Sequence, residues 1–229
     1  TSASYTFDNY RTAYGDASLY RALWNTLLFA AGSTIVSLGI GGYLAWLSQR
    51  TNIRGKSLIY AVAMLPVILP SAMSTIAWMV LLNPTIGWVN HYAEAWFGIE
   101  AELVNAYSMP AMMWVQGIDH FSLPFLLLAA TLRSMDPSLE EASATAGAST
   151  IRTMRTVTFP LMRPAIVASS LLLVLRAIEG FEVPLILGIP AKKPFLATVV
   201  WQQTLGQPNY ALSAAYAVGY VGIAMIGLT

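Results

Sequence analysis

Cysteine is absent from this sequence of 229 residues, and only two histidines are present. Without cysteine, a disulfide framework, a catalytic thiolate and a cysteine-based metal site are all excluded. Two histidines do not supply the usual ligand set of a zinc site. The sequence therefore predicts no metal site on this chain.

Charged residues are also scarce, at 10% of the chain against about 25% in an ordinary soluble domain. Hydrophobic residues make up 56%, and the mean hydropathy is +0.60. The 12 Lys and Arg nearly balance the 11 Asp and Glu, so there is no basic excess to neutralise the phosphates of a nucleic acid. This composition excludes a soluble globular protein and a nucleic-acid partner, and it predicts a protein embedded in a lipid bilayer.

Long apolar runs recur along the chain, and a run of about 20 residues is enough for a helix to cross a bilayer. No alternating pattern typical of membrane strands is seen. We therefore predict an all-α fold, a polytopic transmembrane helical bundle with about five spanning helices. The predicted helices cover residues 22–48, 57–82, 111–133, 164–187 and 210–229.

Lysine and arginine indicate the orientation, because cytoplasmic connections retain positive charge. The connection 83–110 has no Lys or Arg and carries three glutamates, Glu94, Glu100 and Glu102. The neighbouring connections are basic, with Arg50, Arg54 and Lys56 before it and Arg133, Arg152, Arg155 and Arg163 after it. We therefore predict that 136–163 is cytoplasmic, that 1–20 is an extracytoplasmic N-terminal segment, and that 21–229 form the transmembrane domain.

Both ends of the chain carry weak signals. The first residues include no Met and no signal-like apolar run, although the segment 1–20 is predicted to lie outside. The last apolar run stops at Thr229 with no basic residue beyond it. We expect the chain to be part of a longer protein; the alternative is a complete chain whose final helix is only partly inserted.

Small residues and prolines predict how the helices pack and bend. Ser37, Gly41 and Ala45 recur every four residues, which gives one helix face on which another helix can pack closely. Three prolines inside two of the predicted membrane helices are expected to kink or locally unwind them, namely Pro66 and Pro70 in the second helix and Pro124 in the third.

The connection 136–163 is polar and has the pattern of a short helix, a turn and a second helix. The first helix has two alternative start signals: Asp136 as a cap before Pro137, or a capping box from Ser138 to Glu141. Gly147 is suited to a left-handed helix stop.

The second helix of this connection is predicted to begin after Ser149, which can cap it. One face of it carries Ile151, Met154 and Val157. We expect it to end at Phe159-Pro160, where the chain returns to the membrane.

The connection resembles the cytoplasmic signature of permease subunits of binding-protein-dependent ABC importers, which reads E-A-A, three residues, G, nine residues, then I-x-L-P. The residues in register are Glu141, Ala142, Ser143, Gly147, Val157, Phe159 and Pro160. Ser143, Val157 and Phe159 are conservative departures from it. The stretches SLEEASATAGA, RAIEGFEVPLILGIPA and FDNYRTAY are most similar to the N-terminal half of the duplicated ferric-iron-type permeases.

The resemblance implies a transport subunit of the inner membrane with partners for each task. A separate ATP-binding subunit would bind ATP and Mg, so no cofactor is expected on this chain. An extracytoplasmic binding protein would deliver the substrate to the outer connections, and a second permease half or subunit would complete the pathway. The residues implied to contact the ATPase are Glu140, Glu141, Ala142, Ser143, Gly147, Val157, Phe159 and Pro160.

The resemblance favours ferric iron as the cargo. Related permeases for polyamine, thiamine, sulfate and phosphonate share the motif and are the alternatives. ATP binding by this chain itself is rejected: Gly55-Lys56-Ser57 looks like the end of a P-loop, but Arg50 occupies the position of its first glycine.

Charges inside predicted membrane helices are candidate pathway residues, because burying a charge in a bilayer is costly. Arg176, Glu179 and Glu182 are spaced three apart, so they share a helix face and Arg176 can pair with Glu179. The alternatives are a polar vestibule, or an ion pair with an interfacial glutamate that fixes packing. Asp119 and His120 similarly form either part of a pathway or a buried hydrogen-bonded pair.

Two other functions are weighed against transport. An intramembrane enzyme needs a complementary set such as paired aspartates or Ser with His, and Asp119-His120 alone does not supply one. No catalytic residue is therefore predicted. An ion channel would conduct without nucleotide and would leave the cytoplasmic signature unexplained.

Overall fold

The computed structural model describes residues 8–98, 103–206 and 210–226. Within these ranges the chain consists of α-helices, π-helical turns and loops, as the predicted all-α fold requires. The α-helices are α1 (Asp8–Gly15), α2 (Ala17–Arg50), α3 (Lys56–Ile68), α4 (Ser71–Leu81), α5 (Trp88–Phe97), α6 (Met109–His120), α7 (Ser122–Ser134), α8 (Ser138–Thr145), α9 (Thr150–Thr153), α10 (Phe159–Glu179), α11 (Leu196–Trp201) and α12 (Tyr210–Ile226).

Within the described ranges, two helices are long and apolar enough to cross a membrane, namely α2 and the continuous helix from Thr150 to Glu179. The number rises to four if α3 with α4, and α6 with α7, each form one span. The fifth predicted span, 210–229, is described as far as Ile226, and residues 227–229 lie outside the described part.

The chain divides into two compact units. The first comprises Thr1–Ser33, Ser71–Gln116 and Val174–Thr229, and the second comprises Thr34–Pro70 and Gly117–Leu173. The first unit has an apolar core in which the rings of Phe29 and Phe195 meet edge to face, with centroids 5.4 Å apart. A separate apolar cluster of this unit includes Leu19, Leu196 and Tyr216.

The core of the second unit is built on the small-residue face of α2. Ala45 is fully buried there against a cluster that includes Phe125. The Ser37 hydroxyl donates a hydrogen bond to the carbonyl of Gly117 over 2.9 Å. A Cβ placed on Gly41 would lie 2.6 Å from the carbonyl oxygen of Phe121. The close helix packing predicted for this face is confirmed.

Two predicted single helices are each divided in the structure. The helix predicted over 57–82 ends at Ile68 and restarts at Ser71, because Pro70 lacks an N–H and its ring clashes with the carbonyl four residues earlier. The helix predicted over 111–133 breaks at Phe121, three residues before Pro124, for the same reason. The predicted distortions at Pro70 and Pro124 are confirmed, and each bent pair can still form one span. Pro66, by contrast, lies inside α3 without ending it.

The helix predicted over 164–187 has different bounds in the structure. Instead of ending at Phe159-Pro160, the second helix of the polar connection continues through a π-helical turn, Met154–Thr158, into α10. In this turn the Phe159 N–H bonds to the carbonyl of Met154, five residues back. The wider turn accommodates Pro160, which has no N–H for the regular four-residue pattern.

The far end of α10 comes earlier than predicted, at Glu179. Pro184 explains this end, because its ring would clash with the carbonyl of Gly180 if the α-helix continued. The Tyr220 hydroxyl donates to the carbonyl of Ile178 over 2.8 Å and so satisfies one of the free groups at the helix end.

Candidate functional site

Helix α8 begins at Ser138, two residues after Asp136. The Oδ1 of Asp136 accepts a hydrogen bond from the Ser138 N–H over 2.9 Å. Of the two predicted start signals, the structure thus shows the aspartate cap. Hydrogen bonds from the backbone and then the hydroxyl of Ser138 lower the pKa of Asp136 from its ordinary value of 3.8.

Asp136→Ala is expected to speed hydrogen exchange in the first turn of α8 at neutral pH. A carboxyl whose pKa is lowered by folding stabilises the fold above its ordinary pKa, and this contribution is lost as the pH falls through the lowered value. Hydrogen-exchange mass spectrometry measures the effect. Asp16→Ala is the matched control, because Asp16 accepts from the Ser18 N–H in the same way before α2. Unchanged exchange in Asp136→Ala would instead favour the box from Ser138 to Glu141.

The end of α8 is a tight left-handed stop. Gly147 has φ +82°, and the Ala148 N–H bonds to the Ser143 carbonyl while the Gly147 N–H bonds to that of Ala144. These two bonds form a Schellman motif, which favours glycine at this position. The Oγ of Ser149 then accepts from the Arg152 N–H over 3.4 Å. The predicted stop and the predicted second cap are both confirmed.

Two polar contacts join α8 to the helix that follows it. The hydroxyls of Ser143 and Thr153 are hydrogen bonded at 2.9 Å. The Thr158 hydroxyl donates to Oε1 of Glu140 over 2.7 Å. Ser143 therefore departs from the alanine of the signature at a position where its hydroxyl connects the two helices.

Glu140 also forms an ion pair with Arg50, the last residue of α2. The Nε of Arg50 lies 2.7 Å from Oε2 of Glu140, and the two side chains are only 14% and 18% exposed. Nη2 of Arg50 is buried without a hydrogen-bond partner among the described residues. A cavity of about 310 Å³ adjoins the pair. It is lined by Trp46, Arg50, Pro137, Glu140, Glu141, Ala144, Ala148, Thr150, Thr153, Met154 and Thr158.

Arg50, Trp46 and Thr158 were not among the predicted site residues. From the sequence, Arg50 indicates topology and excludes a P-loop, and nothing in the local pattern connects it to a residue 90 positions later in the chain. The sequence signal that was available is a single arginine at the end of an apolar helix.

The remaining signature residues provide an exposed surface. The Glu141 carboxylate is exposed and makes no hydrogen bond or ion pair within the described ranges. Ala142, Phe159 and Pro160 are exposed as well, whereas Val157 is half-buried. The adjacent glutamates therefore differ: Glu140 is bound to Arg50 and Thr158 of its own chain, whereas Glu141 is exposed and available to another molecule.

The predicted pathway residues fall into separate groups. Arg176 and Glu179 are exposed on α10 and form no ion pair with each other, and Glu182 lies beyond the helix end at Glu179. The predicted common face of three charges was therefore wrong. Asp119 and His120 are half-buried at the end of α6, and Oδ2 of Asp119 is buried without a hydrogen-bond partner in the described part of the chain.

Sequence comparisons relate the chain to known transport proteins. The sequence profile described as "Binding-protein-dependent transport system inner membrane component" matches residues 37–229. The chain is 31% identical over 156 residues to the molybdenum transport system permease protein ModB of Haemophilus influenzae, covering 68% of this chain and 66% of that protein. It is 28% identical over 179 residues to the ferric transport system permease protein FbpB of Actinobacillus pleuropneumoniae, covering 76% and 25%. The chain thus spans less than two thirds of either relative.

A solved structure shows the same fold. It is a crystal structure of a bacterial ABC transporter involved in the import of the acidic polysaccharide alginate. One of its chains aligns with a TM-score of 0.83 at 18% identity, over 99% of this chain and 82% of that one. This likeness confirms the predicted all-α membrane permease fold.

Proposed function

Since the chain belongs to the family of inner-membrane components of binding-protein-dependent transport systems, we propose that it is the permease subunit of an ATP-driven importer. In this proposal, an extracytoplasmic binding protein delivers the substrate to the outer connections, 83–110 and 188–209. ATP hydrolysis takes place on a separate subunit, which binds ATP and Mg. A second permease half or subunit supplies the other wall of the pathway.

The main support for this proposal comes from the segment from α8 to the π-helical turn, where some residues bind their own chain and others are exposed. Glu140 and Ser143 fix α8 to its own chain, while Glu141, Ala142 and Phe159 remain exposed for a partner. A short helix held in this way can dock into a groove of an ATP-binding subunit. Movement of α8 would then reach α2 directly through Arg50 and bias the membrane helices between two states.

Gly147→Pro is expected to abolish capture of the ATP-binding subunit. Proline fixes φ near −65°, which is incompatible with the left-handed stop, and it removes the N–H that bonds to Ala144. Co-purification of the permease with its ATPase from detergent, together with a membrane-insertion assay, measures the effect.

The matched control is Gly98→Pro. Gly98 also has a positive φ, +63°, and ends α5 in the connection 83–110. This variant carries a similar backbone strain and should retain the ATPase. Equal retention by both variants would refute the docking assignment, and failure of the unsubstituted permease to retain any ATPase would favour a channel.

We propose ferric iron as the cargo, on the likeness to a ferric permease and on the stretches that resemble that group. The likeness to a molybdenum permease gives the specific alternative. Polyamine, thiamine, sulfate and phosphonate follow as further alternatives from the shared signature. Uptake of labelled iron(III) and of labelled molybdate by the complete transporter distinguishes the first two. Uptake of labelled iron(III) that only excess unlabelled iron(III) reduces supports iron. Uptake of labelled molybdate that only excess unlabelled molybdate reduces overturns it.

Asp119 is the pathway candidate with the strongest structural support. Burying a carboxylate oxygen without a hydrogen-bond partner costs free energy, so its presence in a membrane helix favours a functional role. Asp119→Asn keeps the shape of the side chain and removes its charge. We expect transport to fall while the amount of inserted protein stays unchanged. Loss of inserted protein instead would assign Asp119 to packing.

A further inference from the structure

Helix α5, in the connection 83–110, carries a stripe of exposed aromatic side chains. Trp88, Tyr92 and Trp96 are 62%, 44% and 75% exposed. They are four residues apart, so at 3.6 residues per turn they lie on one side of the helix. Their rings touch in sequence, with centroids 6.0 Å apart for Trp88 and Tyr92 and 5.3 Å apart for Tyr92 and Trp96.

The orientation of this stripe is fixed by the other side of the helix. Ala93 is buried, and Val89 packs against the core of the first unit. The Asn90 amide donates to the Val104 carbonyl over 2.8 Å and accepts from the Val104 N–H over 3.1 Å. The helix therefore cannot rotate to bury its aromatic stripe without breaking these contacts.

A polar edge lies across the helix from the stripe. Glu94 is exposed and projects on the side away from Tyr92 and Trp96, at about 100° per residue. The exposed His91 lies between the two edges, with its ring centroid 5.8 Å from that of Tyr92. The exposed surface of α5 is thus amphipathic, with an aromatic edge and a polar edge on either side of its packed face.

The aromatic edge continues the apolar surface of α4. A cavity of about 520 Å³ runs along it. It is lined by Leu81, Trp88, Val89, Tyr92, Ala93, Trp96, Phe97 and Leu103. Leu81 is the last residue of α4. Met73, Ile76 and Val80 of this helix are exposed and share one face by their spacing of three and four residues, which is typical of a lipid-facing helix.

We infer that α5 lies in the headgroup region of the bilayer, at the Leu81 end of α4, with its aromatic edge toward the acyl chains. Its 10 residues extend about 15 Å, too short to cross a hydrocarbon core of about 30 Å. Tryptophan and tyrosine favour this interface, because their rings are apolar and their N–H and O–H groups remain hydrated. The absence of Lys and Arg from 83–110 means that binding needs no anionic lipid.

Only the choice of leaflet rests on the proposed function, which places 83–110 outside. If α5 lies in the outer leaflet, its aromatic edge is covered by lipid. A binding protein that docks on this connection would then contact the polar edge at Glu94.

Site-directed spin labelling tests the inference, since these 229 residues contain no cysteine and one engineered cysteine is their single labelling site. The permease is reconstituted in zwitterionic phosphatidylcholine vesicles with a label at Trp96→Cys or, as the matched control on the same helix, at Glu94→Cys. Collisions with oxygen, which partitions into the bilayer, are compared with collisions with a water-soluble nickel chelate. We expect the label at 96 to lie about 5–10 Å below the headgroup surface and the label at 94 to lie in water.

Two results would overturn the inference. Both labels in water would show that the stripe does not enter the bilayer. A label at 96 that is in water and is shielded by added binding protein would make the stripe a protein-docking surface. If Trp96→Cys does not fold, Trp88→Cys takes its place. ATPase capture by the same labelled proteins is measured in parallel, so failure of the permease assignment is recognised separately.

Discussion

Replacing Glu140 by alanine is expected to lower the stability of the permease strongly. The substitution leaves Arg50, which is 14% exposed, without its counter-charge and removes the acceptor of the Thr158 hydroxyl. Removing one partner of a buried ion pair costs about 3–5 kcal/mol, and the partial exposure of this pair places the cost near the lower figure. Thermal unfolding of the purified permease measures the effect, and hydrogen exchange should show α8 detached from α2.

Glu141→Ala is the matched control, because it removes the adjacent, exposed carboxylate that has no partner in the described chain. Its stability should stay within about 0.5 kcal/mol of the parent, while capture of the ATPase falls. The double variant Arg50→Leu with Glu140→Leu should be more stable than either single variant, since no unpaired charge remains. A parent-like unfolding temperature in Glu140→Ala would show that the ion pair does not hold α8 in place.

Local signals in the sequence were sufficient for α8. Its start at Asp136, its left-handed stop at Gly147 and the cap at Ser149 all depend on hydrogen bonds that span five residues or fewer. Such contacts follow from residue type and spacing alone. The small-residue face of α2 was predictable for a similar reason, because close approach of two helices requires small side chains at a regular spacing.

Features that depend on distant parts of the chain were not predictable. The pair of Arg50 and Glu140 joins helices whose contact is set by packing. The end predicted at Phe159-Pro160 assumed that proline ends a helix, but a π-helical turn keeps this helix continuous. Helix α5 was not predicted, because its 10 residues are too few for a membrane span. The four-residue spacing of its aromatic side chains was the available signal.

The second large effect is expected from Gly41→Leu. A Cβ at this position would lie 2.6 Å from the carbonyl oxygen of Phe121 and 2.8 Å from the backbone nitrogen of Phe125. These two atoms are hydrogen bonded to each other in the first turn of α7, so neither can move aside alone without loss of that bond. Overpacking against side chains costs about 1–3 kcal/mol, and a clash with fixed backbone should reach the upper figure.

Gly39→Leu is the control that separates this clash from a general effect of leucine. Gly39 lies on the same helix and is exposed, and a Cβ there meets nothing within 4 Å. Glycine is less favourable than alanine in a helix by about 0.8–1.0 kcal/mol, and leucine ranks just below alanine, so this variant should be at least as stable as the parent. Thermal unfolding followed by size-exclusion chromatography in detergent compares the two. Equal stability would mean that α2 can move away from α7 at little cost, and the coupling movement of α8 would then have no rigid element to act on through Arg50.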